Sequence, residues 1–296
     1  MELIHDKYLP FTKEQLKEHY AGDGDMETME RWLKEYTDPV ELHKEYCVRN
    51  PNRKGYKVED MRRPLQIEKD ERFWVASSLM ALFHNERNKN MFVKLFKQAF
   101  EGMPKLDGLL TWEQCLDGKL SLFFEANLPA SKTYQEWLAE REERRIIPYI
   151  REAAWGKKKL EGPTHVDALL INENNGFAAH FEGKLLSDMS CEVTYDVMRN
   201  QMARNIDVML EWNRDKHGPL SRRDPNRTVF LLLTPEIIKK NPHSRFYGYK
   251  YDEYKRDPGS IGRDLPHRKG IDWKTISSRV GWATWEEMKR VNDLIS

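Results

Sequence analysis

The chain is 296 residues long, enough for one large domain or two modest ones with ample material for a core. Charged residues make up 33%, yet the net charge is only +1, which excludes a polycationic chain. Hydrophobic residues at 39% and aromatics at 11%, nine Trp among them, exclude a disordered one.

Three cysteines, Cys47, Cys115 and Cys191, are odd in number, far apart and without zinc spacing. That pattern suits a reducing compartment. The opening MELIHDKYLPFTKEQ has no apolar signal core, and no run approaches membrane-spanning length. The expectation is a cytoplasmic protein with no membrane partner; a homodimer is left open.

Residues 1–130 read as a helical N-terminal region. Thr12-x-x-Gln15 has the form of a capping box, opening a helix to about Tyr20 that Gly22-Asp23-Gly24 ends. A second helix is expected over Asp25–Tyr36 and a third from Asp38-Pro39, with proline in its first turn. Asn50–Pro64 reads as a basic loop. The longest helical stretch is Asp70–Ala99, which Asn85–Asn90 divides, and Thr111-x-x-Gln114 forms another capping box. His5, His19, His43 and His84 are scattered and read as structural or surface residues.

Leu128-Pro129-Ala130-Ser131 marks a boundary, and residues 131–296 read as a second domain with a basic C-terminal extension. Thr133-x-x-Glu136 opens a charged helix reaching Trp155, kinked at Pro148. Lys157-Lys158-Lys159 follows, as a solvated run or a phosphate contact. Next come two apolar runs, Val166–Ile171 and Phe177–Phe181, around the turn-rich Asn172-Glu173-Asn174-Asn175-Gly176. This pattern predicts a β-hairpin.

The hairpin's charges are where a core strand carries Val or Ile. Side chains two apart share a face, so Glu182 and Lys184 project together, and the antiparallel partner brings Asp167 beside them. Two carboxylates with positions left for water suit Mg²⁺ or Mn²⁺, and a neighbouring ammonium suits the charge developing on phosphorus. Asp167 followed by Glu182-Gly183-Lys184 resembles the D…(D/E)-x-K signature of the PD-(D/E)xK nuclease superfamily over roughly residues 133–235. Val166 stands where the superfamily often has proline. The resemblance implies a restriction-endonuclease-like α/β (mixed α+β) fold, a central mixed sheet flanked by helices. It also implies that the preceding helix lends a further metal carboxylate, with Glu143 favoured over Glu140.

After Lys184, Asp188 or Ser190 is expected to cap a long helix ending near Trp212. Val193, Val197, Met198, Met202, Ile206, Met209 and Leu210 would form its packed side. Gln201 interrupts that stripe with an amide, and in several nuclease branches a glutamine on this helix faces the site. One branch continues Q-x-x-x-Y, where this chain has Asn205. Arg199 and Arg204 flank the glutamine as phosphate-contact candidates.

Basic charge collects over Arg214–Lys274, with fifteen Lys/Arg against eight Asp/Glu and the aromatic cluster Phe246–Tyr251. Arg222, Arg223 and Arg227 lie in the loop entering a buried strand, Thr228–Leu233. Clustered cations with interleaved aromatics suit a nucleic-acid surface. Trp273, Trp282 and Trp285 read as core.

The expected activity is metal-dependent hydrolysis of phosphodiesters by a deoxyribonuclease of restriction or defence type, endonuclease ahead of exonuclease. The catalytic set is Asp167, Glu182, Lys184 and Gln201, the metal set Asp167, Glu182 and Glu143. Family precedent favours DNA over RNA as partner. Two other readings stay open: a catalytically silent member binding nucleic acid or protein, and a helical interaction protein whose D…E-x-K is chance.

Overall fold

The computed structural model describes residues 2–20, 26–49, 67–141, 144, 160–190, 195–213 and 218–291. The chain opens with a small antiparallel pair, β1 (Leu3–His5) and β2 (Leu9–Thr12), within the region read as helical and ahead of its first expected helix. Thr12 then caps α1 (Lys13–Glu18) through the predicted box with Gln15. The two helices expected over 25–49 are one, α2 (Met26–Arg49), with Pro39 inside it. An interior proline costs about 3 kcal/mol. Burial of Tyr36 and Val40 on either side of Pro39 offsets that cost.

Asp70 caps α3 (Glu71–Phe83), and α4 (Asn88–Ala99) follows the break expected at 85–90. Thr111 and Gln114 form the capping box of α5 (Trp112–Leu116). The largest departure comes next: β3 (Leu120–Leu128), within the region read as helical, is a strand of the central sheet. After it, α6 (Lys132–Ala139) is capped by Ser131 rather than Thr133. The continuation to Trp155, the kink at Pro148, Glu143 and Lys157–Lys159 lie outside the described residues.

The predicted hairpin is β4 (Thr164–Asn172) and β5 (Ala178–Gly183). Its turn is fixed by Asn172, which donates to the Cys115 carbonyl at 2.9 Å and the Asp117 carbonyl at 2.8 Å. Gly176 takes φ 76°, and a Cβ there would meet the Arg222 carbonyl at 2.9 Å, so both conformation and space demand glycine. The helix expected from Asp188 or Ser190 to Trp212 is shorter. Asn200 caps α7 (Gln201–Met209) through the Ala203 amide at 2.8 Å. Met202, Ile206 and Met209 are buried as expected, but Met198 precedes the helix and is exposed.

The remaining elements are β6 (Thr228–Thr234), α8 (Glu236–Lys240), α9 (Phe246–Arg256), α10 (Gly259–Asp264), α11 (Trp273–Ser278), β7 (Val280–Thr284) and α12 (Trp285–Val291). The sheet runs β3-β4-β5-β6-β7, antiparallel across the first three strands and parallel across the last three. It is thus a mixed sheet flanked by helices. One core on one face gathers Leu16, Leu79 and Phe96 with Leu170, Phe181 and Leu231. A second, on the other face, gathers Met202 and Ile206 with Phe230 and Leu232. Tyr247, Trp282 and part-buried Trp273 join the second core, and Trp285 the first.

Candidate active site

The hairpin positions the site by register. Ala168 pairs with Phe181, so the start of β4 lies beside the end of β5. There the Gly183 amide donates to Asp167 Oδ2 at 2.7 Å. Lys184 is the first residue past the strand; its amide donates to the Leu233 carbonyl at 2.8 Å, and its Nζ lies 2.8 Å from Glu182 Oε1. Asp167, Glu182 and Lys184 therefore come together.

Glu182 is 3% exposed and held from the α7 side. Gln201 Nε2 donates to its Oε1 at 2.6 Å and Asn205 Nδ2 to its Oε2 at 3.0 Å. Gln201 and Asn205 stand one turn apart, so both face the strand. In the sequence Asn205 stands out only as a departure from tyrosine; in the fold it is the second amide on the same carboxylate.

Two more carboxylates were missed. Glu125 stands across β3 from Asp167, between the pairs Phe124–Ala168 and Ala126–Val166. Phe124 and Ala168 pack with the N-terminal helices, whereas Ala126 and Val166 pack on the other face. Glu125 takes φ 50° where the strand rolls over, a left-handed conformation that costs a non-glycine residue of order 1–3 kcal/mol. Such outliers gather at functional sites. Glu71, the first residue of α3, lies 3.8 Å from Lys184 Nζ and accepts from the Leu185 amide at 2.8 Å and Ser187 Oγ at 2.5 Å. A lone Glu within the apolar run of β3 and the Asp70-Glu71-Arg72 triplet were the available signals.

The electrostatics show a surplus of negative charge. Burial, then the charge of Glu182, pushes the Asp167 carboxyl well above the usual range. Burial pushes Glu125 up to about 7, opposed by Arg72 and reinforced by Glu35, Glu182 and Asp70. For Lys184, burial favours the neutral form, but the carboxylates of Glu182, Asp167 and Glu71 outweigh it and hold the ammonium above its ordinary value. Arg72 is itself occupied, by Asp70 at 2.7 Å and by Glu35 on α2.

The predicted nucleic-acid arginines are largely placed elsewhere. Arg199 and Arg223 are fully buried, so neither presents a guanidinium to a phosphate. Arg199 bonds Glu161 at 2.7 and 3.0 Å and Asp207 at 2.8 Å, and lies 3.6 Å over the Tyr134 ring. Arg223 closes the end of α7, donating to the carbonyls of Met209 at 2.7 Å, Val208 at 3.2 Å and Glu211. Arg204 spans the carbonyls of Gly162 at 3.0 Å and Pro163 at 2.8 Å. Arg222 meets Glu173 at 3.4 Å, and Arg227 donates to the Asp107 carbonyl at 2.7 Å.

Position argues the same way. The parallel pairing sets Ala178 against Thr228 and Gly183 against Leu233. The Arg222–Arg227 loop enters β6 at the end of the sheet opposite Glu182, about 17 Å away at ~3.3 Å per residue. Glu140 ends α6 exposed to solvent.

Among the described residues no group of three or more His, Cys, Asp or Glu is arranged to hold a metal ion, and no helix is long and apolar enough to cross a membrane. Compared with known proteins, the chain matches no family model, no curated protein and no solved structure.

Proposed function

We propose that this chain is a metal-dependent nuclease hydrolysing phosphodiester bonds, in DNA ahead of RNA, at the centre formed by Asp167, Glu182 and Lys184. The reading rests on one observation. Glu182 is buried and held by two amides and an ammonium, beside a second carboxylate on the neighbouring strand. Carboxylates are rarely buried in such company for packing alone. The resemblance to the PD-(D/E)xK nucleases supports the same assignment.

The residues present suit a hard divalent cation. Among the described residues Glu35 and Asp70 pair with Arg72, and Glu71 and Glu182 with Lys184, while the Glu125 and Asp167 carboxyls are pushed upward. Mg²⁺ takes one or two protein carboxylates and keeps several waters, so Asp167 and Glu182 suffice. Bound there, Mg²⁺ or Mn²⁺ would supply Lewis-acid stabilisation of the phosphoryl oxygens and lower the pKa of a coordinated water.

The protein's own groups do the rest. Lys184 stays protonated and donates to a phosphoryl oxygen as negative charge develops there. Its raised affinity for the proton makes it a donor rather than a base. Glu125, titrating at about 7, takes the proton of the attacking water in this reading. Gln201 and Asn205 fix the Glu182 carboxylate in one orientation. Incubation with supercoiled plasmid tests the assignment: Mg²⁺ or Mn²⁺ should support nicking and chelator should stop it. Cleavage undiminished in chelator contradicts it.

A further inference from the structure

Helix α3 carries a stripe of side chains that begins at the catalytic centre and ends in a cavity. Glu71, Trp74 and Ser78 stand at i, i+3 and i+7, so they share one face. Glu71 lies 3.8 Å from Lys184 Nζ. Trp74 is 37% exposed, and its ring stands 5.7 Å from that of Trp285, whose Nε1 donates to the Lys184 carbonyl at 3.1 Å. Trp74, Ser77 and Ser78 then line a cavity of about 300 Å³ together with Lys7, Tyr8 and Glu68. The cavity wall has hydrogen-bonding capacity to spare. Ser78 is 4% exposed, yet neither its hydroxyl nor that of Ser77 has a hydrogen-bond partner among the described residues, and buried polar groups are rarely left so. The Tyr8 hydroxyl donates to Glu68 Oε1, while Glu68 Oε2 accepts from nothing among the described residues. The indole is held in place, its Nε1 donating to the Glu68 carbonyl at 2.7 Å.

Charge and shape select the occupant. A carboxylate in the wall repels a phosphate but accepts from an N–H group. Two hydroxyls can donate to a carbonyl or a ring nitrogen, and a fixed, half-open indole offers a flat face for stacking. We propose that this cavity is a nucleobase pocket, taking one unpaired base of a DNA strand stacked on Trp74, its N–H edge on Glu68 Oε2 and its acceptors on Ser77 and Ser78. The volume lies at the small end for ligand sites, which suits a planar ring with its sugar and phosphate left outside. Lys7, exposed at the rim and 5.2 Å over the Tyr8 ring, makes no ion pair among the described residues and is placed to meet that phosphate. Seven residues of helix cover about 10 Å, roughly three nucleotide steps at ~3.4 Å each, so the base held is a near neighbour of the scissile bond. A paired base has to leave its stack to enter such a pocket, whereas an unpaired one does not. The pocket rests on the nuclease reading and gives it a substrate class, DNA with an unpaired base beside the cut.

Fluorescence anisotropy, in chelator so that nothing is cut, compares a labelled DNA single strand with the same strand carrying abasic sites in place of every base. Wild type should bind the base-bearing strand about tenfold more tightly. Trp74→Ala removes the stacking face, and Ser77→Phe keeps it but fills the cavity. Each should close that gap and leave the log–log salt slope unchanged, because neither substitution alters charge. Melting curves check that both variants are folded. Wild-type discrimination between the two strands in both variants overturns the pocket. A wild type that binds the two strands equally, or neither at low salt, also overturns it. Mg²⁺-dependent plasmid nicking alongside any of those results leaves the nuclease reading standing without the pocket. The expected pattern in a protein that never cuts with Mg²⁺ overturns the catalytic reading and leaves the pocket standing.

Discussion

Gln201 and Asn205, four residues apart on one helix, donate to the two different oxygens of Glu182 at 2.6 and 3.0 Å. Groups behind a metal-holding carboxylate typically govern affinity by 10–100-fold. Asn205→Ala should therefore weaken Mn²⁺ binding, read by calorimetric titration, by roughly that factor, and lower turnover with it. Wild-type Mn²⁺ affinity in the folded variant would remove Asn205 from the site.

The hairpin was legible because its signals are local: apolar runs, an Asn/Gly turn and charges at the strand ends. Its register follows from the turn, so Asp167, Glu182 and Lys184 met as the pattern predicts. Glu125 and Glu71 were not legible. Both reach the centre through long-range pairing, one across β3 and the other from the start of a helix nearly a hundred residues upstream in sequence. Reading residues 1–130 as helical hid β3 and Glu125 with it. The arginines failed for a related reason. Charge in a sequence says nothing about burial, and Arg199 and Arg223 are spent on internal carboxylates and helix-end carbonyls. The loop carrying Arg222 and Arg227 belongs to the far end of a parallel strand pair, a fact fixed only by the register of β6 on β5.

Glu125 should make stability depend on pH in the metal-free protein. Its folded value of about 7 lies above the ordinary 4.5, so the folded state binds more protons between them. Wild-type stability then falls as pH rises through that window, and the loss is complete above it. Glu125→Gln should be more stable than wild type by about 1–3 kcal/mol near pH 8, with the gap closing toward pH 4.5. Denaturant titrations across that range would show it; parallel curves would mean the carboxyl is not perturbed.

Arg199 separates a buried structural ion pair from a phosphate contact. Removing one partner of a buried pair costs about 3–5 kcal/mol because the other charge remains. Arg199→Met should lose about that much, leaving Glu161 and Asp207 undercompensated. Unchanged melting together with a flatter salt slope for DNA would reverse this assignment.

Arg222 and Arg227 test the geometry of the sheet. Lying at the end away from Glu182, they should not meet a strand held there. Replacing both with Ala should leave the salt slope of DNA affinity within about half a unit of wild type. A fall of nearly two units would place the nucleic acid on the opposite edge.

Asp167 and Lys184 lie at one centre, and the proposed function gives them different work, because a carboxylate binds a cation and an ammonium does not. The decisive measurement pairs calorimetric Mn²⁺ titration with Mg²⁺-dependent plasmid cleavage for wild type, Asp167→Asn and Lys184→Met. The account predicts cleavage by the wild type alone, Mn²⁺ binding weakened in Asp167→Asn and close to normal in Lys184→Met. Equal Mn²⁺ binding in all three, or cleavage by Lys184→Met at the wild-type rate, would contradict it.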